Sequence, residues 1–198
     1  MYVTDAIILK KEPVGEADVL VTALTDRFVR IRLVAQGARK VGAKLKGHLE
    51  PLSLSRFSFV VGRKNYRLIG AELQDFFPII KNEPERFRVA TEIASVLDSV
   101  LFEDVAEKNG NFFAIAHEAL KFINEPLNSI KDCELAFLWF RTQFLRESGL
   151  LPENAEELFV AKGGEYTPCG DFVSLCGEPQ ALRLRESISQ IFREYLPR

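Results

Sequence analysis

The sequence predicts an α+β chain: a five-stranded β module over residues 1–79, followed by a mainly helical domain over residues 80–198. Three observations carry this. Residues 3–77 read as strand after strand, while residues 82–195 read as amphipathic helices with a 3.6-residue period. Charge divides at the same place: residues 1–80 hold 13 Lys+Arg against 8 Asp+Glu, and residues 81–198 hold 13 against 20. Such asymmetry between halves points to an interaction surface on one of them. Five strands with a long connection after the third suit a small closed barrel such as the oligonucleotide/oligosaccharide-binding (OB) fold. An open five-stranded meander fits the same pattern.

The first strand, Val3–Lys11, is apolar and β-branched and ends at the turn signal Glu12-Pro13-Val14-Gly15. Asp18–Leu24 is the second. After Thr25-Asp26-Arg27 comes Phe28–Gln36, in which Val29, Ile31, Leu33 and Ala35 share one face and Arg30, Arg32 and Gln36 the other. Leu52–Val61 and Tyr66–Phe77 read as a hairpin joined at Gly62-Arg63-Lys64-Asn65. Asn82-Glu83-Pro84-Glu85 is a helix start. Asn109-Gly110-Asn111 opens a second helix and Ser129–Asp132 a third. That third helix, with Cys133, Leu135, Trp139, Phe140 and Phe144, has almost no polar face and is expected at the centre of its domain. Residues 149–178 read as irregular, with a hairpin expected from Tyr166 to Leu175, and Pro179–Tyr195 as a final helix.

Of the 198 residues 47% are hydrophobic and 27% charged, the composition of an ordinary folded protein. No apolar run approaches the ~20 residues that span a bilayer, and Met1–Asp5 does not read as a signal peptide. Three widely spaced cysteines make no disulfide framework. A cytoplasmic, nucleoid-associated protein without membrane contact is the expectation.

The most informative stretch is residues 36–56. Between Gly37 and Gly47 it packs Arg39, Lys40, Lys44 and Lys46 among glycines and alanines, with Val41 and Leu45 its only bulky apolar residues. Glycine lets a main chain approach closely and lysine or arginine neutralises phosphate. A DNA-binding loop between two strands is therefore expected, centred on Arg39, Lys40, Lys44 and Lys46. Arg30 and Arg32 adjoin it, His48 lies within it, and Arg56, Arg63, Lys64 and Arg67 flank it. Sequence preference should be slight, because no set of side chains for reading base edges stands out. Among Phe57, Phe59, Tyr66, Phe76 and Phe77, Tyr66 is the best candidate for base stacking. Enzymatic motifs fail: Gly37-x4-Gly42 is followed by Ala43-Lys44-Leu45, where a phosphate-binding loop requires Gly-Lys-Ser/Thr. His117 reads as structural.

The chain resembles the RecO family of bacterial recombination mediators. The resemblance rests on Asp5–Lys10 followed by Gly15-Glu16-Ala17-Asp18, on Arg30–Lys40, and on Leu45-x-Gly47-x-Leu49-x-Pro51-Leu52. The family implies an OB fold, a helical domain, and non-catalytic binding and annealing of single- and double-stranded DNA. Its implied partners are RecR and single-stranded-DNA-binding protein, with RecA loaded indirectly. The acidic, apolar tail of single-stranded-DNA-binding protein would want an apolar pocket rimmed by cations, for which Arg141 and Arg146 are candidates. Many members carry a four-cysteine zinc motif; here only Cys169 and Cys176 resemble it, in a degenerate insertion near residues 150–178, so no metal or other cofactor is expected. A protein-interaction adaptor and an RNA-binding OB module remain alternatives that would use the same loop.

Overall fold

The computed structural model describes residues 1–62, 66–101, 111–151, 167–176 and 178–195. Five strands, β1 (Tyr2–Val14), β2 (Asp18–Thr25), β3 (Arg30–Ala35), β4 (Leu54–Val61) and β5 (Tyr66–Asp75), form a closed barrel in the order β1-β2-β3-β5-β4. Two pairings exclude the open meander. β1 closes antiparallel on β4 with Tyr2 opposite Phe59 and Asp5 opposite Arg56. β3 runs parallel to β5 with Leu33 opposite Tyr66 and Ala35 opposite Leu68. This is the OB architecture, in which closure removes the exposed edges that a meander would leave.

Period-two alternation decides what fills the barrel. Ile31, Leu33 and Ala35 point inward with Ala6, Ile8, Val21, Ala23, Phe57 and Phe59, all 2% exposed or less. Between them Arg32 stays exposed on the outer side. Phe28, Tyr2 and Tyr66 surround Phe59 with ring centroids 5.3–5.5 Å away, mostly edge-on. The stretch after the basic loop returns to β1 by backbone bonds from Leu52 N–H to Ile8 O (2.8 Å) and from Ile8 N–H to Ser53 O (3.1 Å). Leu52 takes a left-handed φ of 55° there and is buried at 3% exposure, so packing outweighs a backbone cost of ~1–2 kcal/mol.

Among the described residues six helices follow: α1 (Pro78–Asn82), α2 (Pro84–Val100), α3 (Phe112–Ile123), α4 (Ile130–Glu147), α5 (Cys169–Leu175) and α6 (Glu178–Tyr195). The chain divides into two compact units. One is Met1–Phe77 with the part of α2 from Ala94 onward; the other runs through Pro78–Ile93 and resumes at Gly110. As the sequence indicates, α4 is the centre of the second unit: Trp139, Phe140, Phe144 and Leu145 are 1% exposed or less. Its start carries a full capping box, with Ser129 Oγ accepting from Asp132 N–H and Asp132 accepting from Ser129 N–H.

Two expectations change. The hairpin expected from Tyr166 to Leu175 is replaced, from Cys169 on, by helix α5; Tyr166 itself lies outside the described residues. Phe172 N–H bonds to Pro168 O at 3.0 Å, and Cys169 and Phe172, three apart, are both buried, a helical spacing rather than an alternating one. The short α1 precedes the helix start at Pro84, with its first turn held by Asn124 Oδ1, which accepts Ile79 N–H at 3.0 Å. That bond is non-local and leaves no trace in the sequence around residue 78.

One buried cation organises the helical unit. Arg86 is 4% exposed. Its guanidinium donates to the carbonyls of Ile123 (2.6 Å), Glu125 (2.9 Å) and Asn128 (2.6 Å) and pairs with Glu83 at 2.6 Å. These carbonyls lie at and beyond the end of α3, where helical backbone acceptors have no intrahelical donor.

Candidate nucleic-acid interface

The loop between β3 and β4 is stapled at both ends. At its start, Asp18 Oδ1 accepts Gly37 N–H at 2.8 Å, Ala17 O accepts Arg39 N–H at 2.9 Å, and Gly15 O accepts Arg39 Nη1 at 3.1 Å. Gly15 (φ 58°) and Gly37 (φ 66°) both occupy the left-handed region, which side chains disfavour. At its far end, His48 Nδ1 accepts Leu73 N–H at 3.1 Å, and His48 O accepts Ser55 Oγ at 2.9 Å. Ala38 (4% exposed) and Leu49 (1%) drop into the barrel core, and Leu45 packs against it. Between these anchors the backbone makes successive tight turns, Ala43 N–H to Lys40 O (3.1 Å) and Lys46 N–H to Ala43 O (3.2 Å). Ala38, Leu45 and Leu49 face in, whereas Val41 is fully exposed beside the outward-facing lysines.

Lys40, Lys44 and Lys46 are exposed, and among the described residues no carboxylate pairs with them. Arg39 is exposed too, but its guanidinium already holds Gly15. Arg32 is exposed on the outer side of β3 and Arg67 on β5. Arg30 is different: Nε and Nη2 donate to Asp98 Oδ1 at 3.0 and 2.7 Å, and its side chain is 17% exposed. Arg56 is bonded to Asp5 at 2.8 and 3.1 Å, and that carboxylate raises its pKa through the hydrogen bonds and its charge. His48 is half-buried and its Nδ1 serves as an internal acceptor. Arg63 and Lys64 lie outside the described residues. The open cationic set is thus Lys40, Lys44 and Lys46, with Arg39, Arg32 and Arg67 beside it.

Of the aromatic candidates, Phe57, Phe59 and Phe77 are core residues, 2% exposed or less, and Phe76 is 42% exposed. Tyr66 is half-buried at the barrel's rim. Asp18 escapes a reading by charge, because an acid beside a cationic loop looks like a defect. Its role is legible only once the turn before β2 and the turn after β3 are known to meet.

In the helical unit, Arg141 lines a cleft of about 230 Å³ together with Arg88, Arg185, Glu92 and Glu134. Its guanidinium lies 4.1 Å from the Phe192 ring centroid and 5.6 Å from that of Phe137. Burial lowers its pKa, opposed by Glu92, and its Nε has no hydrogen-bond partner among the described residues. Arg88 and Arg185 both reach Glu134 at 3.4 Å. Arg146 is half-buried on α4 and does not line the cleft.

The cysteines do not fit a zinc centre. Cys169 is buried with its N–H held by Glu118 at 2.7 Å, Cys133 is buried beside Arg86, and Cys176 is half-buried past the end of α5. Burial pushes all three thiols up, Cys169 furthest with Glu118 adding to it. Among the described residues no group of three His, Cys, Asp or Glu side chains is placed to hold a metal. Nor is any helix among them long and apolar enough to cross a membrane.

An OB barrel with a stapled loop of unpaired lysines defines the class: an OB-fold module whose exposed chemistry suits a polyanion. Residues 1–77 match the family described as "Recombination protein O N terminal". The chain is similar to the "DNA repair protein RecO" of Desulforamulus reducens, 31% identical over 153 residues, covering 77% of this chain and 57% of that protein. It is also similar to the proteins of that name from Roseiflexus sp. (33% over 124 residues, 63% of this chain and 43% of the relative). The one from Thermodesulfovibrio yellowstonii is 29% identical over 155 residues (77% and 59%). Residues 1–77 thus belong to the RecO N-terminal family, and the chain is similar to RecO proteins over up to 77% of its length. It spans about half the length of these curated relatives.

Proposed function

We propose that this chain is a non-catalytic DNA-binding protein of recombinational repair that binds single- and double-stranded DNA and anneals complementary strands. In this role it works with RecR and single-stranded-DNA-binding protein to help load RecA. The observation that carries the DNA reading is the loop: Lys40, Lys44 and Lys46 are exposed, unpaired among the described residues, and held on a scaffold stapled at both ends. A loop pre-ordered in this way loses little conformational entropy on binding. Family membership and the relatives' names support the repair role. The cleft at Arg141 is our candidate for the acidic, apolar tail of single-stranded-DNA-binding protein, since among the described residues no carboxylate forms an ion pair with its guanidinium, which is backed by Phe137 and Phe192.

The test is binding of a labelled single strand by fluorescence anisotropy across a salt series. Each phosphate contact contributes about −0.7 to the slope of log affinity against log salt. A Lys40→Ala/Lys44→Ala/Lys46→Ala variant should therefore flatten the slope by about 2. These three side chains hold no part of the loop together, whereas Arg39 does, so the variant leaves the scaffold intact. Equal slopes in variant and wild type refute the assignment of DNA to this loop. Capture of an acidic protein without DNA binding favours an adaptor, and preference for RNA of the same sequence favours an RNA-binding module.

A further inference from the structure

A groove opens on the barrel surface at the end where the cationic loop begins. It has a volume of about 470 Å³ and is lined by Val34 and Gln36 of β3 and its exit, Val60, Val61 and Gly62 of β4 and its exit, and Tyr66 and Arg67 of β5. The sheet register explains why these meet. Arg67 stands opposite Val34 on one side and opposite Val60 on the other, so three neighbouring strands present Val, Arg and Val in one row. Val61 is 63% exposed and Arg67 is exposed. Tyr66 is fixed edge-on to Phe59, ring centroids 5.5 Å apart, and so is anchored to the core. Among the described residues no acidic one lines the groove. The volume is that of a small-molecule site rather than a packing defect.

We propose that this groove receives an unstacked nucleobase of single-stranded DNA whose phosphates lie on the Lys40–Lys46 loop, a proposal that rests on the DNA reading of that loop. Three features select this occupant. Gln36 belongs both to the groove and to the start of the loop, so a strand following the loop reaches the groove without a break. A guanidinium between two valines suits a flat, weakly polar ring: Arg67 stacks on its face or reaches the adjoining phosphate, and the valines and Tyr66 cover its edges. An acidic peptide would need more than one cation there, and among the described residues the lining supplies one, Arg67. A duplex keeps its bases stacked inside and cannot fill the groove, so the site adds affinity for single strands alone.

The experiment compares an oligothymidylate with an abasic strand of the same length, which has the same phosphates and no bases. Wild-type protein should bind the base-bearing strand about tenfold more tightly, from ~1.4 kcal/mol for one held base. The two salt slopes should be equal, because the phosphate contacts are the same. Val61→Glu, at an exposed position where folding is undisturbed, and Tyr66→Ala should each bring the two strands close to equal affinity. Equal binding of both strands by wild type, with a steep salt slope, overturns the groove and leaves the loop reading standing. Weak binding of both strands at low salt removes the loop reading first, and the groove with it. A strand preference that survives both substitutions places the base contact elsewhere and also overturns the proposal.

Discussion

Asp18 gives the sharpest prediction because two physical effects have opposite signs there. It is an acid beside a cationic loop, so by charge alone its removal should tighten DNA binding. At roughly 8 Å in water one carboxylate costs a bound phosphate about 0.5 kcal/mol before screening, which is at most about a twofold gain in affinity. Its Oδ1, however, accepts Gly37 N–H at 2.8 Å and fixes the first turn of the loop. A hydrogen bond to a charged acceptor contributes ~1.5–3 kcal/mol. Gly37 is half-buried, so the low end applies: ~1.5 kcal/mol, or about tenfold in the population of the ordered loop. Asp18→Ala should therefore weaken single-strand binding about fivefold net, despite deleting a negative charge. Asp18→Asn keeps a carbonyl acceptor and should bind within about twofold of wild type. Anisotropy titrations at fixed salt, with circular dichroism to confirm the fold, read both variants. If Asp18→Ala binds as tightly as wild type or more tightly, the loop does not depend on this staple and the reasoning fails.

Further outcomes follow from the same structure. Arg32→Ala should flatten the salt slope by about 0.7 while Arg30→Ala leaves it unchanged, because Arg30 is committed to Asp98; equal effects would show that this ion pair opens on binding. Arg86→Ala should cost ~3–5 kcal/mol in urea unfolding followed by the emission of Trp139, since it leaves three carbonyls without their donor at ~1–3 kcal/mol each before relaxation; a loss below ~1 kcal/mol would contradict that role. The buried thiols set an alkaline limit. Their pKa values are raised in the folded chain, so the stabilisation they give is complete below the ordinary thiol value of about 8.5 and is lost as pH rises above it. Unfolding free energy should fall as pH rises above about 8.5, and a Cys169→Ser variant should show a shallower fall. Cys176, half-buried, should react with a thiol reagent ahead of Cys133 and Cys169; simultaneous reaction of all three in the native state would refute the burial pattern.

The sequence by itself determined the strands of the barrel, the apolar α4 and the cationic loop. These are local signals: alternation places Ile31, Leu33 and Ala35 inside and Arg32 outside, and the Ser129–Asp132 cap announces its helix within four residues. It also carried the family resemblance, because Gly15–Asp18 and the Leu45–Leu52 stretch are contiguous patterns. Tertiary structure decided how charge is used. Arg30 and Arg32 share a face and are indistinguishable by pattern, yet a carboxylate 68 residues away engages one and leaves the other open. Asp18 and Gly37 are 19 apart, and only the pairing of β2 with β3 brings the two turns together. The stretch from Tyr166 to Leu175 reads as a hairpin, but Cys169 and Phe172 are buried on one helical face. The groove at Val34, Val60 and Arg67 exists because three strands distant in sequence become neighbours in one register. Residue type and spacing fix what a segment prefers locally; which charges are cancelled and which surfaces stay open depends on distances that only the folded chain sets.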